Sequence, residues 1–307
     1  MEAVYNLDSW YDANRHLFDP PVCNKLMFKK QLSVMFVGGP NVRTDFHLDQ
    51  GSEFFWMVRG NMELPTIQRG ELKRVTIREG EVFLLPSRVP HSPQRPEQGS
   101  LGLVVERSRS VSAVPPELDG LRWYTDFDAP QQILYEKFFH CDDLGRDLVP
   151  VVKEFHASEE KRTGVPGANI CTDETRPFVQ DVTTAVPDPF NLEEWISAHS
   201  HELECGAQLD LFNCDGTAHP DKEFKIYVCG GAAEGGTVTE GTTGPGDTWL
   251  FQLRGHVSVS LHGADATNSQ QLLAKCGGVI PPNTPFKVTR SPCSIGLVIA
   301  NDPMGNK

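Results

Sequence analysis

The sequence predicts an all-β chain with a few helices, built from two copies of one β domain. Short apolar runs recur between turns rich in glycine and proline, of which the 307-residue chain has 27 and 23; this pattern is typical of a sandwich or barrel. Helical periodicity is confined to two regions. Segments of the first half also recur in the second half, in the same order and at a nearly constant offset.

Six apolar runs predict strands, because each has the length of a strand and is bounded by turn residues. They are residues 31–39, 81–86, 101–106, 224–231, 248–255 and 295–300. A helix is predicted at 5–17, with Asp8 or Ser9 as its cap. A second helical region is predicted at 131–164, where Pro150 is expected to interrupt the helix and Gly164 to end it.

The internal repeat predicts two domains. FFWMVRG (54–60) aligns with WLFQLRG (249–255) at an offset of 195 residues, and LLPSRVPH (84–91) falls on VIPPNTPF (279–286) at the same offset. LGLVVE (101–106) falls on IGLVIA (295–300) one residue out of step. The sequence therefore predicts a catalytic domain at 1–160, a linker at 161–180 and a degenerate domain at 181–307.

The two copies differ in their polar residues. His47 aligns with Thr242, Glu53 with Thr248, His91 with Phe286, and Glu106 with Ala300. The second copy keeps the scaffold without this polar set, so these residues of the first copy are not needed for the fold. The second domain is therefore predicted to be metal-free and structural.

His47, Glu53 and His91 come from separate predicted strands and form a candidate metal site. Two histidines and one carboxylate are the ligands of non-haem Fe(II) oxygenases, which leave three positions open. Zinc is also compatible with this set. The alternative is that the three are unrelated hydrogen-bonding residues. Strand alternation predicts that His47 shares a face with Asp45, and a bulge at 49–52 would let Glu53 rejoin that face.

Arg43 and Arg95 add positive charge near these residues, in a pattern that suits a planar carboxylate. The alternative is that they form structural ion pairs with carboxylates such as Asp45, Glu53 and Glu106. Arg290 persists at the position equivalent to Arg95, where the metal set is absent, which favours the structural alternative for Arg95.

Composition excludes some classes of function. The formal net charge of −13 argues against a general nucleic-acid-binding protein. No apolar stretch approaches the length of a membrane span, and the N-terminal residues lack an apolar signal region, so a cytosolic protein is expected. The eight cysteines include no CxxC pair, which favours reduced thiols over a metal cluster. A labile site among Cys205, Cys214 and Cys229 stays open.

Two sequence motifs carry a resemblance to the cupins. The first comprises Gly39, Asp45, His47, Glu53 and Gly60, and the second comprises Gly80, Pro86, Arg88, His91 and Arg95. Asp45 replaces a histidine, Arg88 a glycine and Arg95 an asparagine, and the gap from histidine to glutamate is one residue longer. With these departures, the stretches 20–27, 42–62 and 84–96 closely resemble the animal-type 3-hydroxyanthranilate 3,4-dioxygenase family. The second domain resembles it more weakly.

The resemblance implies two jelly-roll cupin barrels in a monomer, and an Fe(II)-dependent ring-opening reaction. 3-Hydroxyanthranilate and O2 would give 2-amino-3-carboxymuconate semialdehyde, in the kynurenine pathway to quinolinate and pyridine nucleotides. It further implies Fe(II) ligands at His47, Glu53 and His91, oxygen contact and catalysis by Arg43, catalysis also by Glu106, and substrate contacts by Glu53, Arg95, Glu106 and, in support, Asn24. The alternatives are another cupin dioxygenase or isomerase, or a non-catalytic binding protein.

Overall fold

A computed structural model describes most of the chain. The described residues are 1–18, 23–110, 113–167, 170–172, 174–213, 216, 218–262 and 267–302. The predicted linker, 161–180, therefore lies partly outside the described residues. No helix in the described ranges combines the length and the apolar character that crossing a membrane requires.

The described residues are mainly in strands. In chain order the strands are β1 Glu2–Asn6, β2 Asn24–Lys29, β3 Leu32–Gly38, β4 Phe46–Leu48, β5 Glu53–Arg59, β6 Met62–Gln68, β7 Glu71–Ile77, β8 Glu81–Leu85, β9 Leu101–Arg107, β10 Asp119–Tyr124, β11 Ile133–Phe139, β12 Phe190–Asn191, β13 Gln208–Asp210, β14 Phe224–Gly230, β15 Thr237–Thr242, β16 Thr248–Arg254, β17 His256–His262, β18 Thr267–Leu273, β19 Cys276–Ile280, β20 Pro285–Arg290 and β21 Ile295–Asn301. The helices are α1 Leu7–Asn14, α2 Leu144–Ala157, α3 Glu159–Thr163, α4 Leu192–Ala198 and α5 Ser200–Glu204, with a 3-10 turn at Arg15–Leu17.

The chain divides into two compact units. The first barrel comprises Leu17–Lys29 and Ser33–Asn191, and the second barrel comprises Met1–His16, Lys30–Leu32 and Leu192–Lys307. Two features of this division were not predicted. The first strand of the chain, β1, pairs with β19 of the second barrel, and β12, which follows the predicted linker, pairs with β8 of the first.

The main sheets of the two barrels correspond strand by strand. The first barrel has the order β12-β8-β5-β9-β3-β2, and the second has β1-β19-β16-β21-β14-β13. Both sheets shift register at the same place, between Met57 and Arg59 in β5 and between Gln252 and Arg254 in β16. The predicted all-β class with two copies of one jelly-roll domain is confirmed.

Apolar side chains fill the space between the sheets of each barrel. In the first, Met35, Phe55 and Leu85 belong to one buried cluster, and in the second, Leu250 and Val259 belong to another. Full burial of such a side chain contributes about 1.5–3 kcal/mol. All six predicted strands are observed, because short apolar runs between turn residues can be buried only when neighbouring strands satisfy their backbone groups.

The helices agree less well with prediction. α1 is capped by Asn6, whose Oδ1 accepts the backbone N–H of Ser9 at 3.1 Å, so Asp8 and Ser9 are not the cap. In the second region, residues 133–139 form β11 rather than helix, because they pair with β10. The prediction of an interruption at Pro150 is also wrong, since α2 continues through it while burying apolar side chains on both sides. Gly164 ends α3 as predicted, at a φ of 71°.

Candidate metal centre

His47 and Glu53 lie in different sheets of the first barrel. β4, which carries His47, pairs with β10 in a three-stranded sheet, whereas β5, which begins at Glu53, lies in the six-stranded sheet. The predicted bulge at 49–52 is wrong. These residues turn the chain from one sheet to the other, and Asp49 Oδ1 accepts the N–H of Gly51 at 2.5 Å. Alternation holds only within one strand, so Glu53 approaches His47 from the opposite sheet.

His91 is positioned by backbone pairing with His47. The N–H of His47 donates to the carbonyl of His91 at 2.7 Å, and the reverse bond is 3.0 Å. This pairing places the two imidazole centroids 5.2 Å apart. His91 Nε2 lies 3.0 Å from Glu53 Oε1, and His47 Nδ1 lies 4.0 Å from the same oxygen.

The donor atoms of these three residues suit a metal ion. One atom from each lies within 4.8 Å of the others, and all three residues are buried. Glu53 Oε1 and His91 Nε2 make no hydrogen bond to any other group in the residues that the structure describes. Buried polar atoms without partners are rare and need an explanation. Two imidazoles and one carboxylate around a common point satisfy them by binding a metal cofactor.

The ionic environment of Glu53 favours its charged form. Burial alone would raise the pKa of Glu53, but its interactions with His91, His47 and Arg109 outweigh burial and lower it to about 2. The Glu53 carboxylate in turn raises the pKa of His91 against the effect of burial. Glu53 is therefore ionised at neutral pH, as a metal ligand must be.

Asp119 contacts the His47 ring nitrogen that is not directed towards Glu53. Asp119 Oδ2 lies 2.8 Å from His47 Nε2, so the Nδ1 atom is left towards Glu53. A carboxylate on the second ring nitrogen fixes the orientation of a metal-binding histidine. No pattern in the sequence identifies Asp119, because only the pairing of Leu121 in β10 with His47 brings it there.

Arg109 is a second residue that sequence reasoning missed. Its side chain is only 3% exposed and forms ion pairs with Asp49, with Glu106 at 2.8 Å and with Asp119 at 2.5 Å. Burial would raise the pKa of Asp119, but Arg109 and His47 lower it to about 2. The same cation compensates three buried carboxylates. Through these ion pairs Arg109 holds the carboxylates that lie next to the three candidate ligands.

Glu106 lies beside these ligands, and its pKa is shifted in the opposite direction to that of Glu53. Burial raises the pKa of Glu106, and the nearby carboxylates Glu53 and Asp119 raise it further, against the attraction of Arg109. β9 pairs Glu106 directly with Glu53 on β5. A carboxyl with a raised pKa next to a metal-ligand set can act as a general base or acid.

Arg43 forms an ion pair with Asp45. Its Nη2 contacts Asp45 Oδ2, and its Nε donates to Oδ1 at 3.2 Å. The backbone of Arg43 is fixed by Gln94, whose side chain bonds to both its N–H and its carbonyl at 2.9 Å. Arg43 and Asp45 line a cleft of about 370 Å³. The structural ion pair considered from the sequence is therefore present for Arg43.

Arg95 has no such partner. Only 2% of its surface is exposed, and its Nε and Nη2 atoms make no hydrogen bond. No carboxylate in the described part of the chain forms an ion pair with it. Burial lowers the pKa of Arg95 to about 10, so it stays charged at neutral pH. The two free N–H groups suit a planar anion.

Asn24 lies on β2, the edge strand of the six-stranded sheet that also contains Glu53 and Glu106. Its amide Nδ2 contacts Met35 Sδ at 3.8 Å. Asn24 and Glu106 both line a small cavity of about 20 Å³, so the structure brings this residue to the same region as Glu106.

Other candidate metal ligands are less suitable. Asp49, Glu53 and Glu106 also offer three close donor atoms, but Arg109 occupies that side as their counter-charge. Among the predicted cysteine candidates, Cys205 is exposed and Cys229 is buried, whereas Cys214 lies outside the described residues. In the second barrel, backbone pairing sets Gly241 opposite Phe286, so the predicted alignment of His47 with Thr242 is one residue off.

The chain is similar to known proteins over its whole length. A family model described as 3-hydroxyanthranilic acid dioxygenase matches residues 1–156. Proteins named 3-hydroxyanthranilate 3,4-dioxygenase from Rattus norvegicus and Homo sapiens are 39% and 38% identical to it, each covering 100% of this chain and 99% of the relative. The relative of that name from Nematostella vectensis is 38% identical over 97% of this chain and 99% of its own length.

Among solved structures, an oxalate decarboxylase from Bacillus subtilis aligns with a TM-score of 0.49 and 15% identity, covering 91% of this chain and 72% of that chain. This likeness is too distant to carry an argument about activity.

Proposed function

The chain belongs to the 3-hydroxyanthranilic acid dioxygenase family and is a ring-cleaving dioxygenase, and we propose that its substrate is 3-hydroxyanthranilate. The C3–C4 bond of the ring would break and both atoms of O2 would enter the product, 2-amino-3-carboxymuconate semialdehyde. The observation that carries the proposal is the meeting of His47, Glu53 and His91, with an unpaired Arg95 guanidinium in the same barrel.

The metal is proposed to be Fe(II), held by His47, Glu53 and His91. When bound, it supplies the redox chemistry that O2 requires and open positions for a chelating substrate. The protein holds Glu53 ionised and orients His47 through Asp119. The ortho hydroxyl and amine of the substrate suit chelation, which would fix the ring in the barrel.

Arg95 is proposed to bind the substrate carboxylate through its two free N–H groups. Glu106 would take the proton of the chelating hydroxyl or amine, as its raised pKa permits. Glu53 would also contact the substrate, and Asn24 would support its position.

Arg43 is proposed to stabilise the negative charge that develops on oxygen during the reaction. In the structure its guanidinium is paired with Asp45, so it would have to divide its donors between that carboxylate and the oxygen. An arginine suits this role because its guanidinium carries a delocalised positive charge and several N–H donors.

One assay tests the proposed reaction. The protein is loaded with Fe(II) without air, metal content is measured, and 3-hydroxyanthranilate and air are added. We expect O2 uptake in equal amount to the semialdehyde chromophore, and no turnover in a zinc-loaded control. An iron-loaded protein that turns over another ring substrate, but not this one, would support the alternative of a different cupin dioxygenase. Absence of turnover with iron bound would reject the proposal.

Arg95→Met is expected to raise the KM for 3-hydroxyanthranilate at least about 30-fold, because truncating one partner of a buried charge pair costs about 2–5 kcal/mol. The effect on kcat should be smaller, since the chain's metal-ligand set is unchanged. Steady-state kinetics of the iron-loaded enzyme measure both constants. Arg290→Met, at the equivalent position of the second barrel, is the matched control. An unchanged KM would return Arg95 to a structural role.

Asp119→Asn is expected to lower metal affinity about 10–100-fold, the usual effect of removing a partner that orients a metal-binding histidine. Competition with a chromophoric chelator measures the affinity. Asp49→Asn is the matched control, because Asp49 also contacts Arg109 but makes no bond to His47. Equal losses in the two variants would assign the effect to the Arg109 network and not to His47.

We further infer that the protein is a cytosolic monomer that binds neither nucleic acid nor membranes. The net charge of −13 and the absence of a disulfide among the seven described cysteines support this inference. Light scattering during gel filtration gives the molar mass in solution, and a mass near twice 34.1 kDa would contradict the monomer.

A further inference from the structure

The second barrel contains a cavity between its two sheets. The cavity has a volume of about 80 Å³ and is bounded by the apolar side chains of Leu250, Ile280, Val288 and Val298. Arg290 and Thr248 provide polar groups on its wall. At roughly 10–15 Å³ for each water-sized atom, the space suits a ligand of about five to eight non-hydrogen atoms.

The guanidinium of Arg290 is buried there without a counter-charge. The residue is 5% exposed, and its Nη1 atom has no hydrogen-bond partner. No carboxylate in the described ranges forms an ion pair with it. One polar neighbour is the Cys229 thiol, whose pKa is raised by burial despite its hydrogen bond with Arg290 and the attraction of that cation, so the thiol is neutral. A buried cation without an anion is unfavourable, and this one lines a space that an anion can enter.

The backbone leaves room for this guanidinium. A Cβ atom at Gly296 would lie 2.5 Å from Arg290 Nη1, so only glycine fits beside it in its present position. The first barrel has the same pair, because a Cβ at Gly102 would lie 3.5 Å from Arg95 Nη2. The arginine and its glycine are thus present in both barrels, whereas the metal ligands are present in one. The position of Arg290 therefore does not depend on a metal.

We propose that the second barrel binds a small aliphatic monocarboxylate, with its carboxylate on Arg290 and its carbon chain against Leu250, Val288 and Val298. The free Nη1 group of Arg290 offers a charge-assisted hydrogen bond to a carboxylate oxygen. Thr248 and Phe286 stand at the sequence positions of Glu53 and His91, so the cavity wall has a hydroxyl and an apolar ring in place of two metal ligands. One cation and a mainly apolar lining favour a monocarboxylate over a phosphate.

Butyrate, with six non-hydrogen atoms, is a suitable probe for the full-length protein. The experiment uses metal-free Arg95→Met, in which the first barrel lacks its own guanidinium for the carboxylate. Saturation-transfer NMR on the butyrate methyl group gives the dissociation constant, and butyramide serves as the neutral probe of equal size. Arg290→Met and the cavity-filling Val298→Phe are each added to Arg95→Met.

We expect saturable binding of butyrate to Arg95→Met, at least about tenfold weaker binding of butyramide, and at least a tenfold loss of butyrate affinity in both double variants. Val298→Phe retains the arginine, so it tests the cavity even if Arg290→Met does not fold. Equal binding of the two probes, or unchanged butyrate binding in the folded double variants, would overturn the site. Because the readout needs neither iron nor turnover, failure here is separate from failure of the proposed dioxygenase reaction.

Discussion

His91→Ala and His47→Ala are each expected to abolish metal retention and dioxygenase activity while the protein stays folded. Each change removes one of three donors whose atoms lie within 4.8 Å of one another. The loss should exceed the roughly 10–100-fold effect of removing a group that only orients a ligand. Metal analysis after anaerobic Fe(II) loading and gel filtration, together with O2 uptake, measures the result.

The fold should survive because the second barrel forms the same sheet order with Phe286 opposite Gly241, where the first barrel pairs His91 with His47. Circular dichroism checks this point. His201→Ala, on the exposed surface of α5, is the matched control and should retain metal and activity. Retention of one iron per chain by either active-site variant would contradict the proposed ligand set.

Arg109→Met is expected to destabilise the first barrel by about 3–5 kcal/mol, because it leaves buried carboxylates without their cation. The carboxylates concerned are Asp49, Glu106 and Asp119. For a unit of this size, about 1 kcal/mol corresponds to roughly 2–4 °C, so the melting temperature should fall by roughly 6–20 °C. Differential scanning calorimetry of the metal-free protein measures the transition.

The loss in Arg109→Met should be smaller at pH 5.5 than at pH 8. Burial already raises the pKa values of Asp49 and Glu106 in the presence of Arg109. A carboxyl whose pKa is higher in the folded state binds its proton more tightly on folding, so its stabilising effect is present at low pH and is lost as pH rises through the folded pKa. Protonation thus replaces part of the missing counter-charge.

Two further variants test the cause. Arg109→Lys keeps the charge but cannot span three carboxylates, so an intermediate loss of stability is expected. Arg162→Met breaks an exposed ion pair with Glu159 and should leave the transition nearly unchanged, since surface pairs contribute little. If Arg109→Met melted like Arg162→Met, Arg109 would not be the cation that holds these carboxylates.

The sequence predicted the scaffold better than the helices. Apolar runs between turns located β5 and β16 and the repeat that relates them, because a strand in a two-sheet core requires such a run. Residues 133–139 were predicted as helix and form β11. Their local pattern suits either structure, and pairing with β10 decides between them.

The sequence predicted which residues belong to the candidate site, but it did not predict how they are arranged. His47, Glu53 and His91 could be identified because the second copy lacks them. The idea that Glu53 shares a face with His47 was wrong, since the two residues approach each other from different sheets. The sequence comparison with Arg290 favoured a structural ion pair for Arg95, and this was wrong, because Arg43 is paired with Asp45 whereas Arg95 has two free N–H groups.

Hydrophobic spacing and turn chemistry are local properties of the chain, so the fold class, the internal repeat and the residue types of the candidate metal site could be predicted from the sequence. Which charges meet depends on the folded chain. Asp119 is 72 residues from His47, and Arg109 is 60 residues from Asp49. Such pairs form only when sheet pairing and burial bring distant strands together, and their strength depends on exclusion of water, which no local pattern encodes.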